Sequence, residues 1–195
     1  MLSFALLLCA CVPWTVRPID GGADRPVELS PAAYVESIWE SKLLPAMRAQ
    51  ALDVNALLRP ATGLPATASG KALAVKGTGS IIKIDTISKV GLAHVDLLPL
   101  DGRADVTLQI GPLLRGVALR DATGLIPFSA FTNQVQFADV ANELNGRARR
   151  STQALLNDKT PAGTRIRFLG AAERDGDAVR LPLRWVAPVE IEVLP

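Results

Sequence analysis

The residues most ready to do chemistry stand at the start of the chain. Leu8-Cys9-Ala10-Cys11 has a leucine three positions before a cysteine and a small residue directly before it. That is the spacing of a lipobox, in which the chain is cut before the last residue and its thiol is acylated, so Cys11 is the expected lipidation site. Cys9 is an uncommon residue inside such a motif. The apolar run Leu2 to Val12 is too short for a bilayer core, which takes about 20 helical residues, and residues 1–10 read as a signal peptide. No Lys or Arg precedes the run, so a start codon further upstream is expected. Val12 follows the cysteine where some bacteria use aspartate to retain a lipoprotein at the inner membrane. The periplasmic side of the envelope is therefore expected, with the outer membrane favoured.

Beyond the leader, reactive side chains are few. The sequence has two Cys, both in the leader, and one His, too few for a zinc site, which needs three or four Cys, His or carboxylate ligands. His94 and Asp96 are two apart and share a strand face, which suits a base and its orienter. No G-x-S-x-G supplies a nucleophile to complete a triad, and a solvent-facing pair is the plainer reading. Gly77-Thr78-Gly79 lacks the third glycine of a phosphate loop and sits inside a strand pattern. Asp101, Asp105, Asp121 and Asp139 are carboxylates of the kind any chain this size carries. We expect no cofactor, no metal and no catalysis.

A binding site is better supported. Gln109, Arg115, Arg120, Asp121, Asn133 and Gln134 interleave with Phe128, Phe131 and Phe137. Planar amides and guanidinium groups beside aromatic faces orient a small polar ligand such as a sugar, and these six are the candidate contacts. The competing reading is that they cap and cross-link loops around a long helix.

The elements that must position these residues follow from periodicity. With 49% hydrophobic and 21% charged residues and a net charge of +2, the chain has ordinary globular usage. No broad basic stripe exists for nucleic acid; Arg147, Arg149 and Arg150 read as solvation and dipole compensation at a helix end. Residues 11–29, with Pro13, Pro18, Pro26 and Gly21-Gly22, form a lipidated tether. Ser30-Pro31 opens an amphipathic helix carrying Tyr34, Val35, Ile38, Trp39, Leu43 and Met47, which Pro45 should kink or end. With a short helical piece and a loop over Asp53 to Gly70, this makes a helical subdomain at 30–70.

From Lys71 to the C-terminus the pattern is three strands, a helix from Phe137 to about Leu156, and two or three strands with a turn at Asp175-Gly176. The stretch from Leu113 to Pro127 reads as partly extended. The fold class is α+β: a small helical subdomain, then at 71–195 an OB-like antiparallel β-barrel with one long helix between strands. A plain antiparallel sheet packed by one helix fits the same order. Gly77 and Gly79, on one strand face, mark a sharp bend or close backbone approach.

YVESIWESKLLPA at 34–46, VKGTGSIIKIDT at 75–86, ADVTLQIGPLLRGVALRDA at 104–122 and FTNQVQFADVANELN at 131–145 together resemble a bacterial family of predicted periplasmic lipoproteins. The resemblance implies a helical part joined to an OB-like part, in proteins often encoded beside sugar ATP-binding-cassette transporters. It carries over no catalytic residue. Expected partners are thus the membrane, through lipid on Cys11, and a sugar or transporter component. The alternatives are an assembly lipoprotein using a sheet edge or the face bearing Trp39, and an envelope hydrolase using Asp105 or Asp121.

Changing Cys11 to Ser is predicted to move the protein from the membrane pellet to the soluble fraction. Retention in the pellet, with lipid labelling unchanged, would show that Cys11 is not the anchor.

Overall fold

The computed structural model describes residues 29–58, 71–173 and 182–195. The leader, Cys11, most of the tether and the expected Asp175-Gly176 turn lie outside them. Helix α1 (Pro31–Ile38) starts at Ser30, whose hydroxyl accepts from the Ala33 N–H at 3.3 Å, with Pro31 in the first turn where its missing N–H costs nothing. Pro45 does not end the helix. A π-helical turn (Trp39–Leu43) intervenes, closed by the Leu44 N–H on the Trp39 carbonyl, and α2 (Leu44–Gln50) continues from it. The wider turn reregisters the hydrogen bonds just where the proline ring would collide with a preceding carbonyl.

After β1 (Leu52–Asp53) and a short 3-10 turn (Val54–Leu58) come β2 (Ala72–Asp85), β3 (Leu92–Leu97) and β4 (Val106–Gln109). The segment expected to be partly extended instead turns repeatedly and forms the short helix α3 (Ala118–Asp121). A second 3-10 turn (Phe128–Ala130) leads to the long helix α4 (Gln134–Thr152), then β5 (Arg165–Glu173) and β6 (Leu183–Val193). Asn133 caps α4, accepting the Gln136 N–H at 2.9 Å.

The strands pair in the order β2-β3-β4-β6-β5, and β5 pairs back onto β2, closing a ring; β1 adds to β2 in parallel. Ring pairings are antiparallel except β4 with β6, which is parallel. With α4 between the third and fourth strands of the ring, this is the OB arrangement. The sequence places small residues where closure demands them. A Cβ on Gly79 would lie 2.2 Å from the Asp96 carbonyl oxygen, and one on Gly77 2.8 Å from Val54 Cγ2, so both glycines mark close approach, as their spacing foretold.

Two apolar cores share the barrel wall. Inside it, Val75, Ile81, Val95, Leu97, Leu108, Ile166, Phe168 and Val186 pack together, with Val54 joining them. Outside it, Val35, Ile38, Trp39, Leu43 and Met47 meet Val140, Leu144 and Ala148 of α4 over Ala72, Ala74, Leu169, Ala171 and Val189. Full burial of such a side chain contributes about 1.5–3 kcal/mol. Trp39, expected on a partner-binding face, is 1% exposed. Arg147 lies over its ring at 5.7 Å and approaches Glu36 and Glu40 at 3.6 and 3.7 Å, so it covers the core seam, while Arg149 and Arg150 alone stand in the last turn of α4.

Because the Gly79 position has backbone, not a yielding side chain, 2.2 Å from the missing Cβ, Gly79→Ala is predicted to destabilise the protein by about 3 kcal/mol. Urea unfolding monitored by circular dichroism will measure it; a change within experimental error would refute the close-approach account.

Candidate functional site

The helices cover one side of the barrel and leave the outer face of β3, β4 and the first residues of β6 open. There Leu92, His94, Ala104, Thr107, Pro182, Arg184 and Trp185 line a cavity of about 340 Å³. Its shape comes from a bulge. Val106 is opposite Leu183 and Leu108 is opposite Val186, so β6 spends three steps where β4 spends two. The extra residue breaks the in-out alternation and turns two consecutive side chains, Arg184 and Trp185, toward solvent.

Trp185 is 45% exposed and has φ 60°, a left-handed conformation rare for an aromatic residue and costing of order 1–3 kcal/mol. Gln109 holds it there. The Gln109 amide, fully buried, donates through Nε2 to the Trp185 carbonyl at 2.8 Å and to the Arg115 carbonyl at 3.1 Å. Its Oε1 accepts the Arg115 N–H at 2.7 Å. A buried amide saturated by three backbone groups is rigid, and losing one partner would leave the others unmet. By contrast, the side chains of His94, Thr107 and Arg184 make no hydrogen bond or ion pair among the described residues. The face therefore offers an aromatic plane, and a guanidinium, an imidazole and a hydroxyl that no described residue engages.

The six contacts expected from polarity fall into three groups. Gln109 and Arg115 come together, the Arg115 backbone and the Trp185 carbonyl both bonding the Gln109 amide. Arg120 and Asp121 pair with each other at 2.6 Å, the Arg120 guanidinium lying 3.7 Å over the Phe137 ring. Asn133 is the α4 cap and Gln134 is exposed in its first turn. Sequence reading chose Gln109 but passed over Trp185, Arg184 and Thr107, and weighed His94 only as a base.

Asp96, expected to face solvent beside His94, is 2% exposed. Its carboxylate accepts the Asp101 and Gly102 N–H groups at 3.2 and 2.7 Å, fixing the turn after β3. Asp105 accepts the Leu97 N–H at 3.0 Å in the same turn. Burial raises the Asp105 pKa above its ordinary value; the Leu97 bond opposes this, and the charges of Asp101 and Asp96 add to it. No group of three or more metal-ligating side chains occurs among the described residues. A larger cavity of about 600 Å³ lies across β2, β5 and β6 beside α2, and most of its charged and amide side chains, Lys76 apart, are already engaged within the fold. Arg48 pairs with Glu190, Arg167 with Glu192 at 2.7 Å, and Asn55 with the Thr78 and Leu98 backbones.

Ring closure, the inter-strand helix and an open aromatic face define an OB-type barrel, and the whole fold is similar to the crystal structure of an OB-fold protein from Thermotoga maritima MSB8. That likeness has a TM-score of 0.65 at 18% identity and covers 85% of this chain and 99% of the other. The sequence matches the predicted periplasmic lipoprotein family DUF2291 over residues 1–192, and the chain belongs to that family. No curated protein matches the sequence significantly.

The raised pKa of Asp105 gives a signed expectation. A carboxyl that holds its proton more tightly when folded contributes stability below its unfolded value, 3.8, and loses it as pH rises through the folded value. Asp105→Asn, which keeps an acceptor for the Leu97 N–H, is predicted to be more stable than the parent at neutral pH. The advantage should vanish below pH 3.8, and melting curves across pH 3–7 will check it.

Proposed function

We propose that this lipoprotein is a non-catalytic binding module, held to the outer membrane by lipid on Cys11, whose bulged barrel face takes a sugar on behalf of a sugar-uptake system. The observation that carries the reading is Trp185, half-exposed and kept in a strained backbone conformation by the buried Gln109 amide. Strain fixed by a saturated network implies that the orientation of this ring matters. An indole face covers the C–H surface of a pyranose, while Arg184, Thr107 and His94 bond its hydroxyls. OB barrels present this type of strand face to oligosaccharides and oligonucleotides, and a periplasmic address favours the sugar. In this reading Gln109, held by the Arg115 backbone, positions the ring, whereas Arg120, Asp121 and Asn133 stabilise the α3–α4 region. Protein binding by strand addition is disfavoured because the ring β2–β6 closes on itself and the strand outside it, β1, has only two residues.

Titration of the mature protein with a panel of mono- and disaccharides should give a saturable change in tryptophan fluorescence. Trp185→Ala and Arg184→Ala should each weaken binding by tenfold or more without lowering the melting temperature appreciably. If no sugar gives saturation, or if the one that does binds both variants as tightly as the parent, the site is elsewhere.

A further inference from the structure

The structure also points to how the body sits on its membrane. Tyr34, near the start of α1, meets Phe131, just before α4, with ring centroids 5.3 Å apart. Further along, Trp39 meets Arg147. The two helices therefore run in the same sense, with the start of α1 beside the lead-in to α4. That end carries exposed apolar side chains: Leu29 (50%), Phe128 (49%) and Val135 (69%). They stand on an aromatic base, Phe128 packing on Phe137 at 5.4 Å and Phe137 on Phe131 at 5.6 Å.

The same end receives the chain from the anchor. Eighteen residues, 12–29, separate Cys11 from the cap of α1, a span of at most about 60–65 Å. This end of the molecule is therefore the one leashed to the lipid. Its chemistry is also suited to lipid: residues 122–138 contain no charged side chain, only apolar residues, Gly, Pro, Ser, Thr, Asn and Gln. Arg120 and Asp121, against Phe137, neutralise each other and are only 12% and 26% exposed. A docking surface for a protein carries a charged or polar rim that steers its partner, whereas a phenylalanine-bearing end with no unpaired charge of its own in 120–138 suits the boundary between headgroups and acyl chains.

We propose that the N-terminal end of the α1–α4 pair rests on the lipid bilayer that holds the anchor, with Phe128 and Val135 entering the headgroup and acyl boundary. The proposal rests on acylation of Cys11, and on no property of the Trp185 face. Contact is apolar, so raising salt does not release it.

The test uses the full lipidated protein, extracted from membranes and reconstituted in phosphatidylethanolamine–phosphatidylglycerol vesicles. Val135→Cys carries a nitroxide in one sample. Ile87→Cys carries it in another, as an equally apolar exposed control (96%), placed beyond the end of β2 to which the chain returns after α4 through the Gly163 N–H bond to the Ile81 carbonyl. Both sites are exposed, so neither label disturbs packing. The vesicles are floated and power saturation is read with oxygen and with a water-soluble nickel chelate.

The expected result is a several-fold higher ratio of oxygen to chelate accessibility at 135 than at 87, unchanged between 0.05 and about 1 M salt. Equal chelate access at the two positions in floated vesicles overturns the docking and leaves the anchor standing. Dipolar broadening at position 135 at low protein-to-lipid ratio identifies a second copy as the occupant and also overturns it. A protein that fails to float overturns anchor and docking together.

Discussion

The double pairing of β2 holds this molecule together. One long strand bonds β5 along its first half and β3 along its second, so the sheet closes on itself only if β2 bends sharply in between. Gly79 sits at the crossover: it is opposite Leu97 of β3 and Ile166 of β5, with the Asp96 carbonyl occupying the space a side chain would need. Closure then removes the ring's edges, and it gives the barrel wall two apolar sides. The inner side packs on itself; the outer side of β2, β5 and β6 demands a cover, which α1, α2 and α4 provide. A wall that is apolar on both sides explains why the β5 run Phe168 to Ala172 is buried without alternation.

The face left uncovered inherits the cost of joining β4 to β6 in parallel. Neighbouring strands in a ring must match in register, and the extra residue on β6 absorbs the mismatch as a bulge. At this bulge one residue is left-handed, a conformation for which glycine is the inexpensive choice. This chain uses Trp185 and offsets the strain with a buried glutamine that satisfies three backbone groups. That substitution of a tryptophan for a glycine role is hard to justify by folding alone, since it sacrifices stability and exposes an aromatic ring.

Much of the fold was legible because hydrophobic period and small-residue spacing report backbone geometry directly. The α1 face and the α4 face are each a repeated choice between core and solvent, whereas the pattern Val106, Leu108, Ile110 inward, which would turn Gln109 outward, fails at Gln109, fully buried between two core residues. Where that choice is local, single-residue signals also served: Ser30-Pro31 as a helix start, Gly77 and Gly79 as close approaches. The segment 113–127 failed because it has no repeat. Its shape is dictated by long-range bonds, the Gln109 amide to Arg115 and the Asn145 amide to the Leu114 and Gly116 carbonyls. Pro45 was read as a local breaker, and the π turn four residues earlier dissolved the conflict without ending the helix.

The site was less legible for a different reason. Polarity marks residues that need hydrogen bonds, and it does not say whether the protein itself supplies them. Gln109, Arg120, Asp121 and Asn133 all find partners inside the fold, and so they build structure. His94, Thr107 and Arg184 find none among the described residues, yet their sequence neighbourhood looks like ordinary strand. Trp185 would be assigned inward or outward by counting from Leu183, and a bulge defeats the count by one. What separates a ligand contact from a structural tie is thus unspent bonding capacity at a fixed position, a property of the closed barrel that no single strand of it carries.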